Sequence, residues 1–239
     1  MIELNKIYLG DCLTLMKDID DKSVDMILCD LPYGTTACKW DTVIPFNELW
    51  LQYERIIKDS GAIVLFGSEP FSSSLRMSNL KHYKYDWVWD KKKAGNIFLA
   101  KYQPMKIHEN ILVFSKKTHN YYPQMVKRDK IKRSKNYGTG EVMGGDKHTE
   151  NKVYEYTHKN PTSIIEVSNA NQKGKVHPTQ KPIDLCEYLI KTYTNENEIV
   201  LDNCIGIGTT AIACKNVNRY FIGMEKDETY YNIACKRIM

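Results

Sequence analysis

The segment that most constrains the fold is residues 198–227, EIVLDNCIGIGTTAIACKNVNRYFIGMEKD. Its apolar run at residues 199–201 predicts a β-strand, Gly206 and Gly208 predict a tight turn, and the residues that follow have a helical pattern. A second apolar run ends at Glu225, 17 residues after Gly208. Strand, glycine turn, helix and strand in this order are typical of a mainly parallel sheet covered by helices.

The same segment predicts a ribose-containing cofactor. Glycines after a strand let the backbone approach a ligand closely, and free N–H groups at a helix start can bind a carboxylate or phosphate. Glu225, at the end of the next strand, is placed to accept hydrogen bonds from two ribose hydroxyls. The pattern does not choose between a dinucleotide and S-adenosylmethionine, and a plain turn remains the alternative. It lacks the lysine of a Walker loop, which argues against an NTPase.

The remaining sequence extends this alternation over most of the chain. A hydrophobic content of 42% in 239 residues is sufficient for one well-buried domain. We therefore predict a single α/β domain, residues 1–239, with a mainly parallel sheet. The predicted strands are residues 24–30, 61–68, 85–91 and 108–116, and the predicted helices are residues 46–58 and 181–193.

Residues 117–176 interrupt the regular pattern and read as an insertion that is polar, basic and rich in tyrosine. Residues 116–175 contain 13 Lys and Arg against 6 Asp and Glu, whereas the whole chain has a net charge of only +5. Cations next to tyrosines suit contact with phosphates and bases, although a solvated loop has the same composition. The candidate nucleic-acid contacts are Lys127, Arg128, Lys130, Lys132, Arg133 and Lys135.

The segment DLPYG, residues 30–34, directly follows the predicted strand at 24–30. Open α/β sheets bind ligands at the carboxyl ends of their strands. The carboxylate of Asp30 and a carbonyl of Leu31 or Pro32 can accept the two N–H bonds of a base amine. Tyr33 offers a face on which an extruded base can stack. An ordinary turn with an aromatic plug is the alternative.

Three segments together resemble the β-class amino-methyltransferases of restriction-modification and phage systems. They are DLPYG at 30–34, HPTQKP at 177–182 and LDNCIGIGTT at 201–210, in this order. In that family the catalytic tetrapeptide, usually D-P-P-Y, precedes the cofactor loop, an order permuted relative to other methyltransferases. The resemblance spans nearly the whole chain. It implies a circularly permuted Rossmann-like methyltransferase fold, with residues 117–176 as a target-recognition insertion.

The resemblance also implies a role for each matching residue. Asp30 and Tyr33 would hold the amine and stack on the base, with Leu31 and Pro32 supplying backbone. S-adenosylmethionine would be the cofactor, with His177, Thr179 and Lys181 at its methionine end. The implied cofactor-binding residues are Asp11, Asp30, His177, Thr179, Lys181, Asp202, Gly206, Gly208, Thr209 and Glu225.

Two positions depart from the family pattern. Leu31 stands where the first proline is usual, and Asn203-Cys204 stand where Pro-Phe is usual. Leu31 can still contribute its carbonyl, and neither departure removes a side chain that the resemblance assigns to chemistry.

The expected activity is transfer of a methyl group to adenine N6 in double-stranded DNA, because Asp30 stands where the cytosine-N4 enzymes usually have serine. Cytosine N4 is the first alternative, and RNA is a weaker one. A nicotinamide-dependent oxidoreductase would use the same glycine loop but would leave DLPYG and HPTQKP without a role. A non-catalytic DNA-binding module that has kept the fold is a further alternative.

The composition leads to expectations about cellular location, metal binding and partners. The chain has no apolar run of about 18 residues and no signal-peptide pattern at its start, so we expect a cytoplasmic protein without a membrane partner. The seven cysteines are scattered without a C-x-x-C pair, and we expect no metal site. By resemblance, a homodimer and a cognate restriction endonuclease are the partners to test for besides DNA.

Overall fold

The computed structural model describes residues 2–35, 41–135, 153–169 and 180–239. They form two compact units, one made of Met1–Tyr122 and Ser163–Met239 and the other of Pro123–Thr162. The strands are β1 (Lys6–Leu9), β2 (Val24–Cys29), β3 (Ile57–Gly67), β4 (Tyr83–Asp90), β5 (His108–Phe114), β6 (Val126–Lys135), β7 (Val153–Lys159), β8 (Ile164–Glu166), β9 (Ile199–Asp202) and β10 (Tyr220–Glu225). The α-helices are α1 (Cys12–Leu15), α2 (Phe46–Ile56), α3 (Phe71–Ser78), α4 (Ile183–Tyr193), α5 (Thr209–Asn216) and α6 (Glu228–Ile238).

The larger unit contains an eight-stranded sheet in the order β1-β10-β9-β2-β3-β5-β4-β8. Strand β5 runs antiparallel to both of its neighbours, and the other neighbouring pairs are parallel. The prediction of an α/β fold with a mainly parallel central sheet is therefore confirmed. Because β3 and β4 both run opposite to β5, their carboxyl ends lie at the same sheet edge as those of β2, β9 and β10.

The core lies on both faces of this sheet. Every residue of β2 is buried, and its side chains alternate between two apolar clusters. Met26 and Leu28 belong to the cluster that includes residues of α4 and α5, whereas Ile27 and Cys29 belong to the cluster that includes residues of α2 and α3. A strand covered on both faces needs a continuous apolar run, which VDMILC shows from Met26 to Cys29.

The predicted strands and helices of the larger unit are present, with shifts at their ends. Strand β3 begins at Ile57 rather than residue 61, and the preceding helix accordingly ends at Ile56. Helix α6 was not predicted, although Asp227 caps it by accepting hydrogen bonds from the backbone of Thr229 and Tyr230. Strands β1 and β8 are too short to be read from periodicity alone. No described helix has the length and apolar character needed to span a membrane.

The smaller unit is an antiparallel hairpin of β6 and β7, with a register shift between Lys127 and Lys132. Most of its side chains are exposed, and β7 has no fully buried residue. The unit is shorter than the predicted insertion at 117–176 because β8 pairs with β4 and Tyr122 donates its backbone N–H to Thr192. Both contacts tie the flanking residues into the larger unit.

Candidate active site

A cavity of about 730 Å³ opens at the carboxyl edge of the large sheet. Asp30 follows β2, Asp202 ends β9 and Glu225 ends β10, so all three carboxylates reach the cavity from parallel strands. This is the position at which open α/β sheets bind ligands. Among the described residues, the charged ones that line it are seven acids, Asp11, Asp30, Asp41, Glu109, Asp202, Glu225 and Asp227, and three lysines, Lys91, Lys181 and Lys226. The lining is therefore suited to a ligand with positive charge.

The glycine turn borders one end of the cavity. Gly206 and Gly208 have φ values of +54° and +84°, a left-handed conformation that glycine adopts without strain. A Cβ at Gly206 would meet nothing within 4 Å, so the backbone there faces open space. A Cβ at Gly208 would lie 3.3 Å from the Cβ of Ala234. Gly206 thus permits close approach of a ligand, and Gly208 permits close packing of helix α6.

Glu225 holds this turn and keeps acceptor capacity for a ligand. Its Oε2 accepts the N–H of Gly206 at 2.8 Å, and its Oε1 accepts the N–H of Asp227 at 2.8 Å. Burial raises the pKa of Glu225, while these backbone hydrogen bonds lower it. Each carboxylate oxygen has a second lone pair, so two ribose hydroxyls can still be bound.

Asp202 is almost fully buried beside the turn. Its Oδ2 accepts from the Thr210 hydroxyl at 2.6 Å, and its Oδ1 accepts the N–H of Cys204 at 3.1 Å. Burial raises the pKa of Asp202 to about 7, although both hydrogen bonds oppose the shift. The group therefore changes its charge near neutral pH.

Asp11 lies at the same end of the cavity. It caps α1 by accepting the N–H of Leu13 at 3.0 Å, and its other oxygen lies 3.3 Å from Nζ of Lys226. The N–H of Gly10 donates to the carbonyl of Glu225 at 2.8 Å. The first loop of the chain is thereby joined to β10. Five predicted cofactor-binding residues line this end together, namely Asp11, Asp202, Gly206, Thr209 and Glu225.

The DLPYG segment forms the other end of the cavity. The Tyr33 hydroxyl donates to Oδ1 of Asp30 at 2.8 Å. One face of the Tyr33 ring stacks on Phe71, with ring centroids 4.7 Å apart and planes 24° apart. Burial and the charge of Asp30 raise the pKa of Tyr33 well above its ordinary value, so the phenol stays neutral and acts as a donor. Leu31 and Pro32 also line the cavity.

Lys181 contacts the same aspartate from a distant part of the chain. Its Nζ lies 2.7 Å from Oδ2 of Asp30 and 3.3 Å from Oε2 of Glu109. Burial opposes the charged form of this lysine, but the two carboxylates raise the pKa of Lys181 to about 12. Glu109 Oε1 also pairs with Nζ of Lys91 at 3.0 Å. A continuous network of hydrogen bonds and ion pairs therefore runs from Tyr33 to Lys91.

Two residues of this site were missed by sequence reasoning. Glu109 belongs to no motif, and its one signal is an acid shortly before the apolar run ILVF of the strand HENILVF. Burial opposes its ionisation, but Lys181 and Lys91 lower the pKa of Glu109. Asp41 accepts the N–H groups of Gly34 at 2.8 Å and Thr35 at 2.9 Å, which anchors the loop after DLPYG.

The positions that depart from the family pattern have partners of their own. Leu31 is buried in the core, and Asn203 accepts a hydrogen bond of 2.5 Å from the Tyr53 hydroxyl. The Nδ2 group of Asn203 donates to the Cys204 sulfur at 3.5 Å, and the neighbouring Cys204 thiol lowers the pKa of Cys12. Polar and thiol contacts thus occupy the place where the family usually has Pro-Phe.

The remaining predicted site residues are not among the described residues that line the cavity. His177 and Thr179 fall outside the described residues. The basic candidates Lys127, Arg128, Lys130, Lys132 and Arg133 belong to the hairpin unit, and the fully exposed ones include Lys127, Lys130 and Lys132. Of Lys135 the structure describes only the backbone position in β6.

Known proteins are similar to this chain along most of its sequence. Residues 24–236 match the model of the DNA methylase family of N6 and N4 type. The type II methyltransferase M.BglII of Bacillus subtilis is 31% identical over 260 residues, covering 97% of this chain and 68% of that protein. The type II methyltransferase M1.MboII of Moraxella bovis is 30% identical over 256 residues, covering 98% of this chain and 96% of that protein.

Two solved structures are similar over nearly the whole chain. The M1.HpyAVI–SAM complex has a TM-score of 0.64 and 27% identity, with 97% of this chain and 98% of that chain covered. The cytosine-N4-specific PvuII DNA methyltransferase has a TM-score of 0.69 and 15% identity, with 98% and 86% covered. The second likeness concerns the fold alone.

Proposed function

This chain belongs to the DNA methylase family, and from that premise we propose that it transfers the methyl group of S-adenosylmethionine to adenine N6 in double-stranded DNA. The observation that carries the proposal is the lining of one cavity by two kinds of acceptor. Glu225 lies at the glycine turn, where a ribose can be bound, and Asp30 lies at the other end, where an amine can be bound.

The residues present fit S-adenosylmethionine. The open space beside Gly206 admits a ligand next to the backbone, and Glu225 retains lone pairs for the two ribose hydroxyls. In the part of the lining that the structure describes, seven acids against three lysines favour a ligand of net positive charge. We assign Asp11 to the adenine side and Asp202 with Thr209 to the methionine side. When bound, the cofactor supplies an electrophilic methyl group on a positively charged sulfur.

The base amine is handled by the DLPYG segment. Its nitrogen is a poor nucleophile because its lone pair is delocalised into the ring. Asp30 accepts one amine N–H, and a carbonyl of Leu31 or Pro32 accepts the other, which orients the lone pair towards the methyl group. Tyr33 stacks on the extruded base with the ring face that Phe71 does not cover. The carboxylate of Asp30 is also the group that takes the proton leaving the methylated nitrogen.

Adenine is the proposed base because residue 30 is aspartate, whereas the cytosine-N4 enzymes of the resembling family usually have serine there. Cytosine N4 is the second candidate, since both amines need the same pair of acceptors. We assign target recognition to the segment 117–176 predicted from the sequence. The exposed cations of its hairpin, Lys127, Lys130 and Lys132 among them, support contact with DNA phosphates.

Family membership also supports three proposals, about cellular location, oligomeric state and a partner enzyme. We propose a cytoplasmic enzyme, a homodimer in solution, and a cognate restriction endonuclease that cuts the same sequence when it is unmethylated. Sedimentation analysis of the purified protein tests the dimer. Protection of genomic DNA against an endonuclease encoded beside this chain tests the partner.

The activity is tested by incubating the protein with labelled S-adenosylmethionine and unmethylated genomic DNA, followed by nucleoside analysis. We expect the label in N6-methyladenine. Label in N4-methylcytosine would make cytosine the target base and leave the proposed mechanism unchanged. Label in RNA but not DNA would replace the substrate class, and cofactor binding without any transfer would support a DNA-binding module that has lost catalysis.

A further inference from the structure

We propose that Lys181 reads the extruded base by donating a hydrogen bond from its ammonium group to the ring nitrogen beside the target amine. Asp30 accepts from the amine itself, so the two side chains recognise one edge of the base together. This inference rests on the proposed function and adds a specificity-determining residue to it.

The first support is the spacing of donor and acceptor. Nζ of Lys181 lies 2.7 Å from Oδ2 of Asp30, and both residues line the cavity. The pair therefore presents a donor and an acceptor side by side, at the end of the cavity where the DLPYG segment lies.

The second support is spare donor capacity. An ammonium group has three N–H donors. Within the described part of the chain, Nζ of Lys181 donates to Oδ2 of Asp30, and Oε2 of Glu109 lies 3.3 Å away as a second partner. At least one donor remains for a ligand. Since Lys181 is 9% exposed, bulk water has little access to that donor.

The third support is the aromatic surroundings. The ammonium nitrogen lies 5.1 Å from the ring centroid of Phe66, 5.9 Å from that of Tyr33 and 6.0 Å from that of Trp89. All three rings line the cavity. They hold the cation by their ring faces and provide apolar walls of the kind that enclose an extruded base.

The chemistry of the four bases gives the pair its selectivity. In adenine the N6 amine lies beside the acceptor N1, and in cytosine the N4 amine lies beside the acceptor N3. In guanine and thymine a carbonyl oxygen lies beside an N–H donor. An acceptor at Asp30 next to a donor at Lys181 matches these edges of adenine and cytosine and opposes the carbonyl and N–H edges of guanine and thymine. Glu109, which contacts Lys181 but not Asp30, is a positioning residue in this scheme.

The test compares two duplexes that differ only at the target base, once the recognition sequence has been mapped on methylated genomic DNA. One carries adenine and the other 1-deazaadenine, in which a C–H group replaces N1. For the wild-type enzyme we expect kcat/KM to be about 10- to 100-fold lower on 1-deazaadenine. For Lys181→Met we expect a similar loss on adenine and almost no further loss on 1-deazaadenine.

The decisive quantity is the ratio of kcat/KM on the adenine duplex to kcat/KM on the 1-deazaadenine duplex. The intrinsic effect of N1 on amine reactivity is the same for the wild type and for Lys181→Met, so it does not change the comparison of their ratios. The loss of kcat/KM caused by Lys181→Met and the loss caused by 1-deazaadenine can also prove independent, so that together they multiply. In that case Lys181 does not contact N1, and the inference is overturned. Lys22→Met is the matched control, since Lys22 pairs with Asp59 on the surface of the same unit. It should show the wild-type ratio.

A binding measurement on the wild-type protein covers the case in which Lys181→Met does not fold. We expect the dissociation constant to be about tenfold higher for the 1-deazaadenine duplex than for the adenine duplex, and equal values would overturn the inference. If the methylated product is N4-methylcytosine, 3-deazacytosine replaces 1-deazaadenine in both measurements. No methyl transfer to any base overturns the proposed function and this inference together, whereas normal transfer that ignores the ring nitrogen overturns the inference alone.

Discussion

The charged groups of the cavity and those of the β6–β7 hairpin are held in opposite ways. Lys181 is buried between the carboxylates of Asp30 and Glu109, and each neighbour limits where its ammonium group can lie. Lys127 and Lys130 on the hairpin are exposed to water. One region thus uses charge at fixed positions, and the other uses charge as an exposed surface.

The physical reason is the cost of removing a charge from water. A buried charge must be paired and hydrogen-bonded, so its partners determine its geometry, and removing one partner leaves another uncompensated. An exposed charge keeps its hydration and contributes little to stability. A reaction that positions one nitrogen needs the first arrangement, while binding to a uniformly charged DNA backbone needs only the second.

The largest expected effect comes from Asp30→Ala. We expect methyl transfer to fall by more than about 10³-fold, because the substitution removes the amine acceptor. The dissociation constant for S-adenosylmethionine should change by less than about threefold. Transfer of labelled methyl and calorimetric titration of the cofactor measure the two quantities. Asp20→Ala, at an exposed position, is the control, and full turnover by the Asp30 variant would contradict the assigned role.

The next effect concerns the hairpin. Replacing Lys127, Lys130 and Lys132 together by Gln should weaken DNA binding about tenfold or more, and should lower the salt dependence of log Kd by about one unit for each lysine that contacts phosphate. Cofactor affinity should not change. The control replaces Lys17, Lys22 and Lys215, three exposed lysines of the larger unit, by Gln, which removes the same net charge. Equal losses in both triple variants would show that only net charge matters.

A smaller effect is expected from the titration of Asp202. The pKa of this carboxyl is raised to about 7, so the folded protein binds its proton more tightly than the unfolded chain. Its contribution to stability is therefore largest below about pH 4 and declines as the pH rises towards 7. The cationic cofactor favours the ionised form.

Cofactor affinity should accordingly rise about tenfold between pH 6 and pH 8, as the ionised fraction grows around that pKa. In Asp202→Asn the affinity should be lower and nearly independent of pH in this range. Titrations at several pH values in one buffer series check both statements. A variant with an unchanged pH profile would place the titrating group elsewhere.

The smallest effect is expected at the exposed ion pair of the hairpin. Arg133 Nε lies 2.7 Å from Oε1 of Glu155, but the two side chains are 73% and 50% exposed. Glu155→Gln should therefore change the free energy of unfolding by less than about 0.5 kcal/mol. Chemical denaturation of the single variants and the Arg133→Met, Glu155→Gln double variant measures the coupling. A coupling above about 1 kcal/mol would mean that this hairpin fixes its charges as the cavity does.

The elements that were predictable from the sequence are those whose signals are local. The apolar run of β2 and the glycine turn at Gly206 each specify a backbone conformation within a few residues. The same holds for the carboxylate that ends β10, since its place follows from the length of one strand. Helix α6 and the short strands were not predicted, because their sequence patterns are brief and their stability comes from packing.

The sequence by itself determined the α/β alternation and the glycine turn, and it singled out the DLPYG segment to which we assign amine binding, because backbone preference and apolar periodicity act between near neighbours. Only the tertiary structure decided that Lys181, 151 residues away, contacts Asp30. It likewise brought Glu109 to that pair and Asp41 to the loop after DLPYG. The neighbouring charges then shift the pKa values of Lys181 and Glu109 against the effect of burial, and both influences depend on the strand order of the whole sheet rather than on any one segment.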